Sequence, residues 1–333
     1  MKILFPVDGS EYSVHAAHVI ARRAELQNFN PEVCVLNVQK AAELMIPALK
    51  LRRSAATNRQ SEAAFKKVRD ILKNVKTEEK VVIGNPAQVI AEEADREKAD
   101  LIVMGSRGLS DFAKLFLGSV STAVLARTTV PVMLIRSEYT SEPGKELKVC
   151  VAVDGSPYSE AAARYIVAHR EMFGEKPDVR VVTVVDVAEA IAYEYPTDVP
   201  LPEIPAEREA AEKNMDEIQQ LIPEIEEKGK KEAMSTIRPI FEQANFPVTE
   251  VALTGDPGTE IANYAKTEKL DLVIMGTRGR DNVASVILGS VTSRVAADGD
   301  SGVRICLPSR ETSLRDGKRI FKYQAGSRSG FLP

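Results

Sequence analysis

The 333-residue sequence predicts an α/β protein made of two tandem, doubly wound five-stranded parallel-sheet domains. Two observations predict this fold. First, the chain contains an internal repeat whose period is far longer than that of solenoid repeats, so each copy is expected to be a whole domain. Second, apolar runs alternate with helix-type patterns within each copy, which is typical of right-handed βαβ units around a parallel sheet.

The repeat is carried by four segments of the first copy that recur in the second. The clearest pair is LFPVDGSEYSVHAAHVIA at 4–21 and VAVDGSPYSEAAARYIVA at 151–168. Because all the pairs occur in the same order, the two copies are expected to share one fold. The other three pairs are 31–39 with 177–185, 83–108 with 253–279, and 117–126 with 288–297.

The second copy is longer than the first. Asp8 and Asp154 are 146 residues apart, whereas Gly105 and Gly276 are 171 apart, so the second copy holds 25 extra residues between its second and third strands. Prolines at the start of that stretch oppose regular structure. The sequence therefore predicts domain one at 1–140 and domain two at 146–308, joined by a polar linker centred near residue 142. Domain two carries an insertion at 187–247, and a flexible basic tail follows at 309–333.

Five strands are predicted in each copy. Apolar residues, many of them β-branched, occupy most positions of these runs, as in strands that helices cover on both faces. The segment PAQVIAEEADREK at 86–98 has apolar residues along one side and is predicted to be a helix. In the first copy the predicted strands are 2–7, 32–38, 80–83, 100–104 and 130–135.

Composition excludes several classes of protein. The formal net charge is −4, the sequence pI is about 5.7 and the main body has no long basic run, so nucleic acid is not an expected partner. No window approaches about 18 apolar residues and the N-terminus lacks a signal-peptide pattern, which predicts a cytoplasmic protein without membrane contact. Cys34, Cys150 and Cys306 lie far apart in apolar runs and are predicted to be buried free thiols.

The first strand of each copy is predicted to end at the motif Val-Asp-Gly-Ser. This motif places a carboxylate and a tight glycine turn at the carboxyl end of a strand, where ligands of open parallel sheets bind. The serine, Ser10 or Ser156, is expected to cap the following helix. Asp8 and Asp154 either contact a ligand or cap that helix, and the two roles are compatible.

The fourth strand of each copy leads into a glycine pattern: Gly, two residues, Gly, nine residues, Gly and Ser. In the first copy its members are Gly105, Gly108, Gly118 and Ser119. Glycines let backbone amides approach an anion, and a helix that begins at the serine offers free amides and its positive dipole end. The pattern therefore favours phosphate binding, although glycines that serve only as turns would look the same. The Gly-rich Lys-Ser/Thr phosphate loop is absent, and no metal site is predicted.

Together these motifs resemble the universal stress protein family in its tandem-domain form, over about residues 1–137 and 147–308. The resemblance implies a Rossmann-like, adenine nucleotide α-hydrolase-like sheet in each copy, with strand order 3-2-1-4-5 and a ligand at the switch point between strands one and four. It also implies that the two domains pair through their last strands, and in the first copy the last strand is 130–136. The corresponding segment 299–308 contains glycines and lacks the Val-Pro pair, which puts its pairing edge in question.

The glycine pattern resembles that of the ATP-binding branch of the family. This implies that Asp8 contacts the ribose side of ATP, that the backbone around Val38 hydrogen-bonds adenine, and that Gly118 and its neighbours hold the phosphates, with or without Mg²⁺. Arg107 and Arg278 either add charge there or lie in solvent. The predicted nucleotide-binding residues are Pro6, Val7, Asp8, Gly9, Ser10, Val38, Met104, Gly105, Arg107, Gly108, Gly118, Ser119, Val120 and Ser121 in the first copy, and Val153, Asp154, Gly155, Ser156, Val185, Met275, Gly276, Arg278, Gly279, Gly289, Ser290, Val291 and Thr292 in the second.

The expected function is that of an ATP-binding stress-response or signalling protein with no or slow hydrolysis. It would be at most a weak ATPase, since no recurring Glu or His stands at a strand end opposite the phosphates. One alternative is a non-enzymatic interaction or chaperone-like protein whose sites are relics or hold another ligand, and another is an ATP-using enzyme of the related α-hydrolase group. Intramolecular domain pairing is expected, while a homodimer and other protein partners stay open. The insertion beside the second adenine pocket predicts unequal affinities, with the first copy the plainer ATP site.

Overall fold

The computed structural model describes residues 1–25, 29–40, 59–106, 117–136, 147–187, 221–277, 289–297 and 303–307. Within these residues the two copies are the two halves of a single sheet, which carries helices on both faces. The predicted linker, most of the predicted insertion, the tail at 309–333, and Arg107, Gly108, Arg278 and Gly279 lie outside the described residues.

The first copy alternates strands and helices in the predicted manner. Its elements are β1 (Lys2–Pro6), α1 (Glu11–Ala24), β2 (Glu32–Gln39), a helical segment α2 at 59–69, β3 (Lys76–Ile83), α3 (Pro86–Arg96), β4 (Leu101–Gly105), α4 (Ser119–Leu125) and β5 (Val132–Ile135).

The second copy repeats this order and adds short helical pieces. Its elements are β6 (Lys148–Ala152), α5 (Pro157–Ala168), a 3-10 turn (Arg170–Met172), β7 (Asp178–Val185), a helical segment α6 at 221–235, α7 (Arg238–Gln243), β8 (Thr249–Thr254), α8 (Pro257–Thr267), β9 (Leu272–Gly276), α9 (Ser290–Ala297) and β10 (Val303–Leu307).

Each half of the sheet is parallel and has the predicted strand order 3-2-1-4-5. The complete order is β3-β2-β1-β4-β5-β10-β9-β6-β7-β8. The halves join where β5 and β10 pair antiparallel, from Val303 opposite Ile135 to Cys306 opposite Val132. The predicted pairing through the last strands is therefore present. The glycines of segment 299–308 do not interrupt it, because β10 begins after Gly302.

This junction sets the relative position of the two strand-end crevices. All strands within one half point the same way, and the two halves run in opposite directions across the β5–β10 pair. The carboxyl ends of the first copy's strands therefore lie at one edge of the sheet and those of the second copy lie at the other. The candidate sites of the two copies face opposite directions.

Local capping explains where the principal helices begin. The hydroxyls of Ser10 and Ser156 accept hydrogen bonds from backbone N–H groups three residues later, which confirms the predicted caps of α1 and α5. Asn85 and Asp256 cap α3 and α8 in the same way, each followed by a proline at the first helical position.

The core is continuous between the copies on one face of the sheet only. There, one cluster joins Phe5 of β1 to Val151 of β6 and Phe241 of α7, all at most 2% exposed. On the other face, each copy has its own cluster around α3 or α8, although Ala296 of the second copy packs into that of the first. None of the described helices combines the length and the apolar content of a membrane-spanning segment.

Two elements differ from expectation or refine it. Strand β3 begins at Lys76 rather than 80, because its first residues form a charged and exposed edge strand without an apolar pattern. The predicted insertion at 187–247 ends in α6 and α7, and α6 corresponds to α2 of the first copy. The insertion boundaries stay a prediction, since 188–220 are outside the described residues.

Candidate functional site

A crevice is expected outside the carboxyl ends of the strands where the chain changes direction across the sheet. In the first copy this point lies between β1, which pairs with β2 on one side, and β4 on the other. In the second copy, β6 stands between β7 and β9 in the same way. The Val-Asp-Gly-Ser motif and the glycine pattern follow these strands, so the topology brings both predicted motifs to one place in each copy.

Both turns after the first strand need glycine. Gly9 has φ +80° and Gly155 has φ +78°, in the left-handed region that costs other residues energy. A Cβ on Gly155 would lie 3.1 Å from the Cα of Ala233 in α6, and one on Gly9 would lie 3.6 Å from the Cα of Ala64 in α2. The second helix of each copy therefore packs directly on the turn beside the crevice.

The Asp8 carboxylate organises its own turn. Its Oδ1 accepts the Ser10 N–H at 3.0 Å and the Ser13 hydroxyl at 2.8 Å. Asp8 itself is exposed, and no described residue bonds its Oδ2. One oxygen thus stabilises the turn, while no described residue bonds the other. The helix cap itself is Ser10 and not Asp8, and a ligand contact by Asp8 stays a prediction.

The equivalent turn of the second copy is built slightly differently. Asp154 Oδ1 accepts the Ser156 N–H at 2.9 Å, as in the first copy. The Ser159 hydroxyl, however, donates to the Ser156 carbonyl at 2.8 Å, whereas Ser13 donates to Asp8. The conformation of the turn is kept although the side-chain hydrogen bonds are rearranged.

The helix after the glycine pattern is tied to the end of the fourth strand. In the first copy, the Gly118 N–H donates to the Ser106 carbonyl at 2.8 Å and the Ser121 hydroxyl donates to the Gly105 carbonyl at 3.1 Å. Gly118 is the N-cap of α4 and provides no side-chain cap. The exposed first residue, Ser119, therefore begins a helix whose first-turn amides have no side-chain partner at Gly118.

The second copy repeats this connection. The Gly289 N–H donates to the Thr277 carbonyl at 2.9 Å, and the Thr292 hydroxyl donates to the Gly276 carbonyl at 2.8 Å. Because the hydroxyls of Ser121 and Thr292 bond the strand, they hold the helix in place rather than point to a ligand.

The backbone at the end of β2 is open on its β1 side. Alternate residues of a strand direct their backbone groups to opposite neighbours. The Leu36 carbonyl accepts the Val7 N–H at 2.8 Å, and the Gln39 carbonyl accepts the Gly84 N–H at 2.9 Å on the opposite side. Val38 shares the direction of Leu36, so its N–H and C=O face the crevice beyond the end of β1.

The same geometry corrects one predicted residue of the second copy. The Val185 carbonyl accepts the Gly255 N–H at 3.1 Å, so Val185 corresponds to Gln39 and faces away from the crevice. The backbone groups of Val184 point to the same side of the strand as those of Val38. The side chain of Val38 packs against the apolar cluster around α3, and that of Val184 packs against the cluster around α8. Val184 therefore replaces Val185 as the candidate for a base-binding backbone.

The remaining predicted residues fall into two groups. The first group has buried side chains that only their backbones could present to a ligand, and its members are Val7, Met104, Val153 and Met275. The second group is partly or fully exposed around the crevice, and its members are Pro6, Val120, Ser290 and Val291.

Sequence reasoning missed three polar residues next to this site. Asn37 and Lys67 bond the turn after β1, and buried Ser106 links β4, β5 and α4 through its backbone. Only Asn37 had a visible signal, as a polar residue within an apolar strand. Among the described residues, nothing bonds the buried side-chain oxygen of Ser106, and Thr277 takes its place in the second copy.

The cysteines are buried, as predicted for Cys34 and Cys150. Burial raises the pKa of the Cys34 thiol to about 11 and that of Cys150 to about 12, so both stay neutral near pH 7 and are poor nucleophiles. The side chain of Cys306 is outside the described part. Within that part, no group of three His, Cys, Asp or Glu side chains could hold a metal ion.

Several known proteins that are similar to this chain are universal stress proteins. A universal stress protein of Thermus aquaticus is 36% identical over 141 residues, which covers 40% of this chain and 97% of the relative. A universal stress protein structure from Archaeoglobus fulgidus aligns with a TM-score of 0.60 and 20% identity, covering 92% of this chain and 98% of that one. A universal stress protein solved in complex with cAMP is 26% identical and aligns with a TM-score of 0.33. The alignment covers 40% of this chain and 96% of the chain in that structure.

The family model of the universal stress proteins matches both copies, at residues 1–136 and 147–303. These two segments include nearly all of both sheet halves and end at the β5–β10 junction. The chain therefore belongs to the universal stress protein family and carries two domains of that family in tandem.

Proposed function

We propose that this chain is a cytoplasmic stress-response or signalling protein that binds adenine nucleotide, ATP in particular, with no or slow hydrolysis. The proposal places one nucleotide at the strand-end crevice of each copy. The observation that carries it is the helix that begins at Ser119 directly after Gly118 in the first copy, and at Ser290 directly after Gly289 in the second. Each of these helices is fixed to the end of the fourth strand by two hydrogen bonds.

The chemistry of these helix starts suits a phosphate. The first-turn amides of a helix are unsatisfied donors, and the aligned peptide dipoles add partial positive charge at that end. A glycine N-cap without a side-chain cap leaves this position to an external acceptor. The absence of a Cβ at Gly118 would let phosphate oxygens come close to the backbone.

The rest of the crevice suits a nucleoside. The N–H and C=O of Val38 face the crevice and provide a donor and an acceptor, which the edge of adenine can match. The open Oδ2 of Asp8 can accept a hydrogen bond from a ribose hydroxyl. In the second copy, Val184 and Asp154 would have these roles.

The residues present give hydrolysis little assistance. Rapid phosphoryl transfer to water needs a group that positions or deprotonates the attacking water. Asp8 lies at the end of the first strand, and its Oδ1 already accepts two hydrogen bonds from its own turn. We therefore expect ATP to be held as a ligand and turned over slowly, if at all.

The test combines nucleotide identification with titration. Nucleotide extracted from the purified full-length chain is identified by mass spectrometry, and ATP binding is measured by calorimetry. In a Gly289→Val background, which leaves the first site, adding Gly118→Val should weaken ATP binding by more than about tenfold. Because Gly118 has φ −61° and ψ 146°, valine adds bulk without backbone strain.

Thr122→Val is the matched control for this titration, since it is an isosteric change at an exposed position one turn further along the same helix. It should alter the dissociation constant by less than about twofold. If the wild-type chain has no measurable affinity for any adenine nucleotide, the proposal fails, and an interaction or chaperone-like function with relic sites is favoured instead.

A further inference from the structure

The turn after β1 is held by two side chains that come from other elements of the first copy. The Asn37 side-chain amide of β2 donates to the Val7 carbonyl at 2.7 Å. The Lys67 ammonium of α2 donates to the Gly9 carbonyl. These two carbonyls flank Asp8, so the part of the turn that faces the crevice is fixed on both sides.

The Asn37 side chain is itself locked in orientation. Its Oδ1 accepts hydrogen bonds from the Gln39 amide at 2.5 Å and from the Ser61 hydroxyl at 2.8 Å. Asn37 is 4% exposed and Ser61 is 2% exposed. Since Oδ1 has two donors, the amide nitrogen must point to Val7. The network thus transmits the position of α2 to the turn.

The second copy has different residues at these positions. Its helix aligns with α2 because Ala233 packs on Gly155 as Ala64 packs on Gly9, and because the Arg238–Glu250 ion pair repeats Arg69–Glu79. This alignment places Thr236 at the position of Lys67, and strand register places Thr183 at that of Asn37. In the described part of the second copy, no side chain donates to the carbonyls of Val153 or Gly155.

We propose that Asn37 and Lys67 are positioning residues that hold the first copy's turn ready for nucleotide, which makes the first site the tighter of the two. The proposal rests on the nucleotide-binding function proposed above and adds a reason for unequal affinity. When a turn occupies its binding conformation only part of the time, the apparent affinity for the ligand is the intrinsic affinity multiplied by the fraction of time in that conformation. Two carbonyl contacts raise that fraction in the first copy, and the described residues of the second copy make neither contact.

The test uses the full-length chain with the second site removed by Gly289→Val. Lys67→Met should then weaken ATP binding by about fivefold, while Lys67→Arg, which keeps a charged donor, should restore affinity to within about twofold. Lys66→Met is the matched control, because it removes the same charge from the exposed neighbouring residue and should have little effect.

A second readout isolates the positioning role from simple loss of charge. Amide hydrogen exchange across residues 7–14 of the ligand-free chain should become faster in Lys67→Met and stay unchanged in Lys66→Met. The reciprocal change, Thr236→Lys in a Gly118→Val background, should tighten the second site. If the wild-type chain binds ATP and Lys67→Met changes neither affinity nor exchange, the positioning role is wrong although the nucleotide function stands. If no nucleotide binds at all, the failure belongs to the proposed function.

Discussion

The two copies keep the same backbone plan and use different polar chemistry to support it. In the first copy, Lys80 on the edge strand β3 makes ion pairs of 2.7 Å with Glu93 of α3 and 2.6 Å with Glu97, the residue that caps the end of α3. In the second copy, Arg180 on the more central strand β7 takes over this role and pairs at 2.6 Å with Glu268, the residue that caps the end of α8. The duplicated domain has therefore preserved packing geometry while its charges were redistributed.

This difference extends to burial. Glu93 is 2% exposed, and both of its oxygens take part in ion pairs, one with Lys80 and one with Arg96. The carboxylates around Arg180 are 34% and 37% exposed. An ion pair that includes a buried carboxylate is costly to break, because the remaining charge is left without water. The same type of connection should thus matter more for stability in the first copy.

Removal of the basic partner in each copy tests this difference most strongly. Lys80→Met should lower the free energy of unfolding by about 2 kcal/mol, since it leaves Glu93 with Arg96 alone in a buried position. Arg180→Met should cost only about 1 kcal/mol, because water can solvate its partly exposed partners. Urea unfolding of the two variants measures both values, and equal losses would contradict the comparison.

Alanine substitutions in the two glycine turns should give a smaller difference in stability, with the larger loss in the second copy. Gly155→Ala should destabilise by about 2 kcal/mol, from a left-handed alanine and from the new Cβ at 3.1 Å from the Ala233 backbone. Gly9→Ala should cost about 1 kcal/mol, because its Cβ would lie at an ordinary 3.6 Å from Ala64. Denaturant unfolding would show whether Gly155→Ala is the more damaging change, and a larger loss for Gly9→Ala would refute the packing argument.

Acid should weaken the first copy through Glu97. Hydrogen bonds from Lys2 and Lys80 lower the pKa of this carboxyl to about 2, from 4.5 in an unpaired glutamate. A carboxyl with a lowered folded-state pKa contributes stability above pH 4.5, and this contribution is lost as the pH falls toward 2. Glu97→Gln should therefore make unfolding stability less dependent on pH between these values. A pH dependence identical to that of the wild type would argue against the Glu97 connection.

Much of the fold was accessible from sequence because its signals are local and repeated. Alternating apolar runs predicted the parallel strands, and the serine of each Val-Asp-Gly-Ser motif was correctly expected to cap a helix. Strand β3 was predicted too short because its first half is charged. Val185 was predicted in place of Val184, although the repeat of 31–39 in 177–185 matches Val38 to Val184. The backbone hydrogen bonds agree with that alignment, because the Val185 carbonyl bonds Gly255 on the far side of the strand.

The contact by which Lys67 holds the turn after β1 could not be predicted either, and the reason is different. Lys67 is 58 residues away from Gly9 along the chain and lies in a segment outside the repeated motifs. Nothing local marks a lysine on an exposed helix face as a partner of a distant carbonyl. Its role depends on how α2 packs across the turn, which is a tertiary property.

Each copy is expected to hold one adenine nucleotide at its own end of the sheet, independently and with unequal affinity. The decisive measurement is calorimetric titration of ATP into the wild-type chain, Gly118→Val and Gly289→Val. We expect two sites in the wild type, loss of the tighter site in Gly118→Val and loss of the weaker site in Gly289→Val, with the remaining affinity unchanged in each variant. Absence of ATP binding in the wild type, or binding that both substitutions leave intact, would refute independent nucleotide binding by the two copies.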